Sequence, residues 1–231
     1  MANHLDLEEQ EQLDELKHFW KQYGNAITWV LIVILGGFAA WNGYQYWQRN
    51  QAAQAAAMYD EVEKVSRGGD TDKLERAFGD MKDRFASTAY APQAGLLVAK
   101  TLYDAGKLDA AKATLTWVAE KSKDPGYAAV GRLRLAGLLM DAKSYDEALK
   151  VLDQGVAEEF AALQADRRGD IYIAQGKKSE AKEQYLKAYK LFGAGVDYRR
   201  LVAVKLNSLG VDPSAEDATK IAVAGEQAAA K

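Results

Sequence analysis

The sequence predicts an all-α protein in which a single N-terminal transmembrane helix is followed by an α-solenoid. Residues 22–48 carry no charge, and the chain beyond them is rich in Ala, Leu, Lys and Glu with only three prolines. A turn pattern also recurs along that later part, with a spacing of about 34 residues. Short helices joined by recurring turns stack into a solenoid, and no strand is predicted.

The apolar run from Ile27 to Trp47 has the length and composition of a membrane span. At about 1.5 Å per residue its helix covers roughly 31 Å, the thickness of a hydrocarbon core. Aromatic residues flank the run as interfacial belts do. They are Phe19, Trp20 and Tyr23 on one side and Trp41, Tyr44, Tyr46 and Trp47 on the other. The predicted span is 26–48.

A cleaved signal peptide is the alternative interpretation of this run. Secretory signals have a basic start and an apolar core of about 7 to 15 residues. Here six acidic residues and two basic ones precede the run, which is also longer. The sequence therefore favours an uncleaved anchor.

The orientation of the anchor is not decided by charge. Lys17 and Lys21 precede the span, and Arg49, Lys64 and Arg67 follow it within about twenty residues, the range over which the positive-inside rule counts. Long domains cross membranes largely regardless of loop charge. Both orientations stay open on this count.

The composition of residues 48–231 excludes several functional classes. This part holds 27 acidic and 28 basic residues, so it lacks the positive charge of a nucleic-acid-binding domain. The chain has no cysteine, which excludes disulfides and thiolate metal sites. The span contains no ionisable residue, which argues against transport.

Three copies of a turn-plus-alanine pattern define the predicted repeats. They occupy residues 105–111 (AGKLDAA), 142–148 (AKSYDEA) and 175–181 (QGKKSEA). Each copy follows a helix with a small residue at its waist, and each precedes a helix with a large residue four positions after the alanine. The small residues are Ala99, Ala136 and Gly169, and the large ones are Leu115, Leu152 and Tyr185. This order predicts a tetratricopeptide-repeat-like α-solenoid, with a plain helical bundle as the alternative.

Flanking segments extend this array at both ends. Residues 52–66 continue the membrane helix, turn at 68–70 and return over 73–85 as a degenerate first pair. A terminal helix is predicted over 197–209, since solenoids need capped ends. The tail 211–231 is Ala-rich and weakly amphipathic, and is predicted as frayed or disordered.

The sequence offers little catalytic chemistry. The two histidines, His4 and His18, lie in the acidic tail before the span, and no HExxH, G-x-S-x-G or P-loop pattern occurs. We therefore expect no enzyme activity, no cofactor, no metal and no small-molecule substrate. An enzyme built from carboxylates and lysine alone is the competing hypothesis.

Protein binding is the function that the surfaces favour. In a repeat array of this kind the first helix of each pair lines a concave groove. The candidate groove residues are Leu96, Lys100, Tyr103, Leu133, Met140, Asp170 and Ile173, with Asp104, Asp141 and Asp166 beside them. The predicted groove is apolar with acidic spots and suits an amphipathic helix or an unfolded segment better than a C-terminal carboxylate, because Lys100 alone makes no clamp. Alternatively, Leu96, Leu133 and Ile173 pack within the superhelix.

A second candidate surface lies within the span. Gly36, Ala40 and Gly43 form a stripe of small residues that would let another transmembrane helix approach closely. The sequence predicts lateral docking of a partner helix on this stripe.

The order of these features resembles the YfgM family, the ancillary subunits of the bacterial SecYEG translocon. The resemblance is carried by the acidic tail, the 19–21 helix entry (FWK), Gly24, the aromatic exit W-x-x-Y-x-Y-W, the repeats and the 204–209 helix (VKLNSL). It implies an inner-membrane protein that associates with SecYEG and with PpiD, a membrane-anchored chaperone. Such proteins help to pass emerging polypeptides to periplasmic chaperones, and the family has no catalytic residues.

The resemblance also implies a topology. Residues 1–25 are then a cytoplasmic tail, 26–48 the span, 49–210 a periplasmic tetratricopeptide-like domain and 211–231 a tail that departs from the family pattern. The alternative is a membrane-tethered scaffold of the same fold that assembles an envelope complex unrelated to secretion.

Overall fold

Residues 7–213 are described by a computed structural model, and they form nine α-helices and one 3-10 turn. The helices are α1 (Leu7–Gly68), α2 (Thr71–Phe85), α3 (Tyr90–Asp104), α4 (Leu108–Lys121), α5 (Pro125–Asp141), α6 (Tyr145–Asp153), α7 (Ala161–Ala174), α8 (Lys178–Leu191) and α9 (Tyr198–Ser208), with the 3-10 turn Glu158–Phe160 before α7. No strand occurs between residues 7 and 213, so the all-α prediction is confirmed. His4 and most of the predicted 211–231 tail lie outside the described residues.

The first of two units ends at Ala53 and consists of the N-terminal part of α1. Among the described helices, α1 alone is long and apolar enough to cross a membrane. Its apolar side chains lack protein contacts: Val33 is 69% exposed and Leu35 63%. A contiguous exposed apolar surface of this kind suits a lipid environment.

The polar side chains of this apolar segment bond within the helix. The Thr28 hydroxyl donates to the Gly24 carbonyl at 2.8 Å, and the Asn42 amide donates to the Phe38 carbonyl at 2.9 Å. Because no water is available in the hydrocarbon core, polar groups there must be satisfied by the protein itself. These two bonds lower the cost of placing α1 in a bilayer.

The second unit begins at Gln54 and contains the end of α1 together with α2 to α9. Three antiparallel pairs follow one another: α3 with α4, α5 with α6, and α7 with α8. The first helices of successive pairs also touch, α3 against α5 and α5 against α7, and α9 packs on α8. Ala55 and Val62, near the end of α1, are fully buried in the same core as α2 to α6. The solenoid predicted from the repeat pattern is confirmed.

The turn inside each pair has the same backbone conformation and the same hydrogen bonds in all three copies. In all three turns a residue of positive φ lies two positions after the first helix, and the next N–H bonds back to a carbonyl five residues earlier. These bonds are Lys107 N to Leu102 O (2.9 Å), Ser144 N to Leu139 O (2.8 Å) and Lys177 N to Tyr172 O (2.9 Å). This is the Schellman closure of a helix C-terminus. It gives each copy the same exit direction and hence the same pairing geometry.

The middle turn differs from the other two in its positive-φ residue. Gly106 and Gly176 have φ of 77° and 76°, whereas Lys143 has a φ of 60°. The left-handed region costs a non-glycine residue about 1 to 2 kcal/mol. The Schellman hydrogen bonds and the helix pair that they join hold Lys143 there.

Side-chain hydrogen bonds between repeats follow the same period. Three of them join residues 35 positions apart: Ser66 with Thr101 at 2.7 Å, Lys107 with Asp72 at 2.6 Å and Lys112 with Glu147 at 3.0 Å. Each repeat therefore contacts the next one in a constant register, as expected of a solenoid.

Small residues set the distance between helices in contact, both within a pair (α7 with α8) and between successive pairs (α4 with α5). A Cβ added at Gly169 would lie 2.4 Å from the Tyr185 ring, and one at Gly131 would lie 2.9 Å from the backbone nitrogen of Ala119. Both distances are shorter than any van der Waals contact. These helices therefore approach as closely as they do only because glycine lies between them.

Replacing Gly169 by alanine tests this constraint. The Tyr185 side chain is 3% exposed and its hydroxyl is hydrogen-bonded to Asp170, so the ring has little room to move. We expect Gly169→Ala to lower the free energy of unfolding by about 1 to 3 kcal/mol, the cost of overpacking. Chemical denaturation of the full-length chain in detergent measures it.

The matched control is Gly79→Ala in α2, where an added Cβ meets nothing within 4 Å. Because alanine is the better helix former, this variant should be unchanged or more stable by up to about 1 kcal/mol. Equal effects at the two positions would contradict the close-approach account.

Candidate functional site

A concavity of about 420 Å³ lies where the first helices of the three repeats meet. It is bounded by α3, α5 and α7, with one residue from α4. The lining residues are Ala99, Lys100, Tyr103, Leu115, Arg134, Gly137, Leu138, Asp141 and Arg167. The concave face predicted to bind partners thus contains a formed site.

Two of the predicted groove residues, Lys100 and Tyr103, line this concavity. Leu96 is 9% exposed and belongs to the core, and the half-buried Leu133 and Met140 pack against it. The placements of Leu96 and Leu133 agree with the alternative in which they pack within the superhelix. As partner-contacting residues, all of the candidates stay predictions.

Ile173 and Asp170, both on α7, do not line the concavity. Ile173 is 40% exposed. The Asp170 carboxylate accepts hydrogen bonds from Tyr185 at 2.8 Å and from Lys205 at 2.7 Å. Its oxygens are thus engaged within the domain, and its first role is to connect α7 with α8 and α9.

Arg134 and Arg167 are the functional candidates that sequence reasoning missed. Both line the concavity, which is therefore more basic than the predicted apolar groove with acidic spots. A signal was present for Arg134: with Gly137, Leu138 and Asp141 it falls at i, i+3, i+4 and i+7 on one face of α5. The signal for Arg167 was weaker, because only the packing of α5 against α7 brings it there.

The acidic groups around the concavity already have partners. Tyr103 donates its hydroxyl to the Asp141 carboxylate at 2.9 Å and thereby joins α3 to α5. This hydrogen bond, together with the charge of Asp141, raises the pKa of Tyr103. Lys100 pairs with Asp104 one turn along α3. The tyrosine therefore stays protonated and keeps donating at neutral pH.

A buried polar network fixes the terminal helix α9 on α7. The Asp166 carboxylate is almost fully buried and lies 2.8 Å from the Lys205 ammonium. It also accepts a hydrogen bond of 2.8 Å from the Tyr198 hydroxyl. Because Lys205 also binds Asp170, one ammonium from α9 bridges two carboxylates on α7. A buried carboxylate is tolerated only with such partners, so α9 cannot leave without exposing or stranding it.

The tyrosines of this network titrate at unusually high pH. Burial, and then the hydrogen bond to Asp166, raises the pKa of Tyr198 to about 12. Burial and the hydrogen bond to Asp170 raise the pKa of Tyr185 in the same way. An unfolded tyrosine ionises near pH 10. The stability that these groups supply is therefore complete below about pH 10 and is lost as the pH rises through the folded-state values.

Removing the Tyr198 hydroxyl should make this loss measurable. We expect Tyr198→Phe to lower the free energy of unfolding near neutral pH by about 1 kcal/mol, because one hydrogen bond to a buried carboxylate is lost. The fall in stability between about pH 10 and 12 should also become shallower. Unfolding followed by far-ultraviolet circular dichroism across this range measures both effects.

Tyr145→Phe on α6 is the control, since the Tyr145 hydroxyl has no hydrogen-bond partner among residues 11–213. The loss of stability at alkaline pH should be the same in Tyr145→Phe as in the original chain. If the two variants lose stability over the same alkaline pH range and to the same extent, the hydrogen bond from Tyr198 to Asp166 does not stabilise the fold as described.

Metal chemistry finds no support in the described part of the chain. Between residues 7 and 213, no group of three or more His, Cys, Asp or Glu side chains is placed to hold a metal ion. His18 lies on α1, in the first unit. The concavity itself combines basic side chains with the apolar residues Ala99, Leu115 and Leu138.

The small-residue stripe lies on the exposed part of α1. An added Cβ at Gly36 or Gly43 would meet nothing within 4 Å, and Ala40 is exposed as well. Among the described residues of the first unit, no side chain covers the stripe, so another transmembrane helix could pack against it. Docking there stays a prediction.

An apolar helix able to span a membrane, followed by a repeat solenoid with a concave polar site, defines the class of membrane-anchored tetratricopeptide-like proteins. The family model of the tetratricopeptide repeat-like domain matches residues 17–211. That match covers α1 from residue 17 onward, α2, all three pairs and α9.

Comparison with known proteins identifies the family. The chain is 34% identical over 210 residues to an ancillary SecYEG translocon subunit of Neisseria gonorrhoeae, covering 90% of this chain and 100% of the relative. The subunits of the same name from Haemophilus influenzae and Escherichia coli K12 are 31% and 28% identical, over 88% and 77% of this chain and 98% and 85% of the relatives. The chain belongs to this family, the YfgM family, and is a single-pass inner-membrane protein.

Proposed function

We propose that this protein is an ancillary subunit of the SecYEG translocon whose repeat domain binds translocated polypeptides and helps to hand them to periplasmic chaperones such as PpiD. The observation that carries the proposal is the 34% identity to a relative with this name over that relative's entire length. The translocon role and the partners come from the relatives' names and from the family resemblance.

The fold supports a binding role. Non-catalytic proteins bind other proteins through concave surfaces with a few polar groups above an apolar floor. Here the floor is formed by Ala99, Leu115 and Leu138, and the charged groups of α3, α5 and α7 surround it. These features suit a protein segment.

The proposed topology places residues 1–25 in the cytoplasm and the repeat domain in the periplasm. In this arrangement α1 anchors the domain beside the channel exit, where an emerging chain is still unfolded. Lateral association with a partner's transmembrane helix would use the stripe of Gly36, Ala40 and Gly43. The anchor would then fix the distance between the concavity and the channel.

Site-specific photo-crosslinking tests this function in cells that express the full-length chain. A photoreactive phenylalanine analogue replaces Tyr103, which lines the concavity and is 40% exposed. We expect crosslinks to exported polypeptides and to PpiD during active export. Crosslinks to exported polypeptides should disappear when export is blocked, because no emerging chain is then present.

The control position is Lys182, exposed on the second helix of the last pair and absent from the concavity. We expect few export-dependent crosslinks from it. Crosslinks from Tyr103 to one envelope complex without SecYEG or PpiD, unaffected by a block in export, would replace the proposal by the scaffold alternative.

A further inference from the structure

The concavity on α3, α5 and α7 has an excess of positive charge. Three of its lining residues are basic, Lys100, Arg134 and Arg167, whereas one is acidic, Asp141. Lys100 is paired with Asp104, so the excess comes from the two arginines. The whole segment 48–231 is balanced, with 28 basic and 27 acidic residues, so this local excess is a property of the site. A cluster of cations above an apolar floor favours an anion with an apolar neighbour.

Arg134 has no carboxylate partner within the part of the chain that the structure describes. Its guanidinium donates one hydrogen bond, of 3.2 Å, to the neutral carbonyl of Leu96. Residue Arg134 is exposed, and no other hydrogen bond of its guanidinium occurs within the described residues. A guanidinium has five donors in a planar fork, so most of the capacity of Arg134 is unused.

The acids near the site cannot easily supply the missing partner. Asp141 is bound by Tyr103, and Asp104 by Lys100. Asp170 is held by Lys205 at 2.7 Å, while its nearest approach to Arg167 is 3.8 Å. Arg167 is thus only weakly paired.

The two guanidinium groups lie close to the same face of α5. A Cβ at Gly137 would lie 3.7 Å from Cζ of Arg167, so this guanidinium rests over Gly137. Arg134 is three residues earlier on α5, less than one turn away. Two like charges that are near each other and incompletely neutralised are stabilised by a bound anion.

We propose that this concavity binds an Asp or Glu side chain of an internal partner segment, between Arg134 and Arg167, with a neighbouring large apolar side chain on the floor formed by Ala99, Leu115 and Leu138. This inference rests on the proposed function, because the segment belongs to a polypeptide or chaperone met at the translocon. A carboxylate is the anion that the unmodified side chains of a polypeptide segment supply. Arginine forks also match carboxylate geometry.

Fluorescence anisotropy with short peptides and the purified full-length chain in detergent tests the proposal. The probe is a fluorescein-labelled, C-terminally amidated peptide of sequence AALELAA. We expect saturable binding that weakens as the salt concentration rises, since exposed charges are screened. The matched probes AALQLAA and AAAEAAA should bind at least about tenfold more weakly, a difference of about 1.4 kcal/mol.

Variants of the protein assign the site. Arg134→Gln and Arg167→Gln should each weaken AALELAA binding by about tenfold or more, whereas Arg200→Gln, an exposed arginine on α9, should not. Unchanged thermal unfolding of Arg134→Gln shows that the loss is local. A third variant, Arg134→Glu, should bind a lysine-containing AALKLAA probe better than the original chain does.

Several outcomes would overturn the inference. They are equal binding of AALELAA and AALQLAA, binding only of AALQLAA with a free C-terminal carboxylate, no binding of AALELAA, or an unaffected Arg134→Gln variant. Crosslinking at Tyr103 in the Arg134→Gln background separates this failure from failure of the proposed function. If the protein does not prefer AALELAA to AALQLAA but the export-dependent crosslinks persist, the proposed carboxylate site is wrong and the proposed function stands.

Discussion

The close approach of neighbouring helices, within and between pairs, is the constraint on which the repeat domain depends. Glycine at positions 131 and 169 lets α5 reach the Ala119 backbone and lets α7 reach the Tyr185 ring. Alanines 111, 148 and 181, fully buried at the start of each second helix, serve the same purpose. Only helices held this close bring α3, α5 and α7 side by side, and the concavity exists because these three helices are neighbours.

The ends of the array are stabilised by a different kind of interaction. At the N-terminal end, Ala55 and Val62 continue the apolar core, so burial holds the end of α1. At the C-terminal end, the buried Asp166 is neutralised by Lys205 and hydrogen-bonded by Tyr198. The polar network fixes one register of α9, because a slipped helix would strand a buried charge. Apolar packing alone would tolerate such a slip.

The fold was largely predictable from the sequence, and the site only in part. The span and the three turns follow from local patterns: an uncharged run, a recurring turn sequence before each second helix, and alanines at a nearly constant interval. The terminal helix α9 follows from the need of a solenoid for a capped end. The Lys143 turn was found despite its missing glycine because the alanine at 148 kept the pattern. Lys100 and Tyr103, predicted from the period of α3 to face the groove, line the concavity, and their contact with a partner stays a prediction.

The rest of the site depends on contacts between distant residues, which periodicity does not encode. Arg167 reaches the concavity only by lying over Gly137, thirty residues earlier. Asp170 was predicted as a partner contact, yet Lys205, 35 residues later, engages it first. In a solenoid, which groove charges stay free is decided by the neighbouring repeat, so the sequence of one repeat cannot show it.

The central claim is that α1 places the repeat domain on the far side of the membrane, where translocated chains emerge. The chain has no cysteine, so a single introduced cysteine is a unique label site. A membrane-impermeant maleimide should label Lys182→Cys in intact spheroplasts and should label Lys17→Cys only after lysis. The reverse pattern would put the repeats in the cytoplasm and contradict the account.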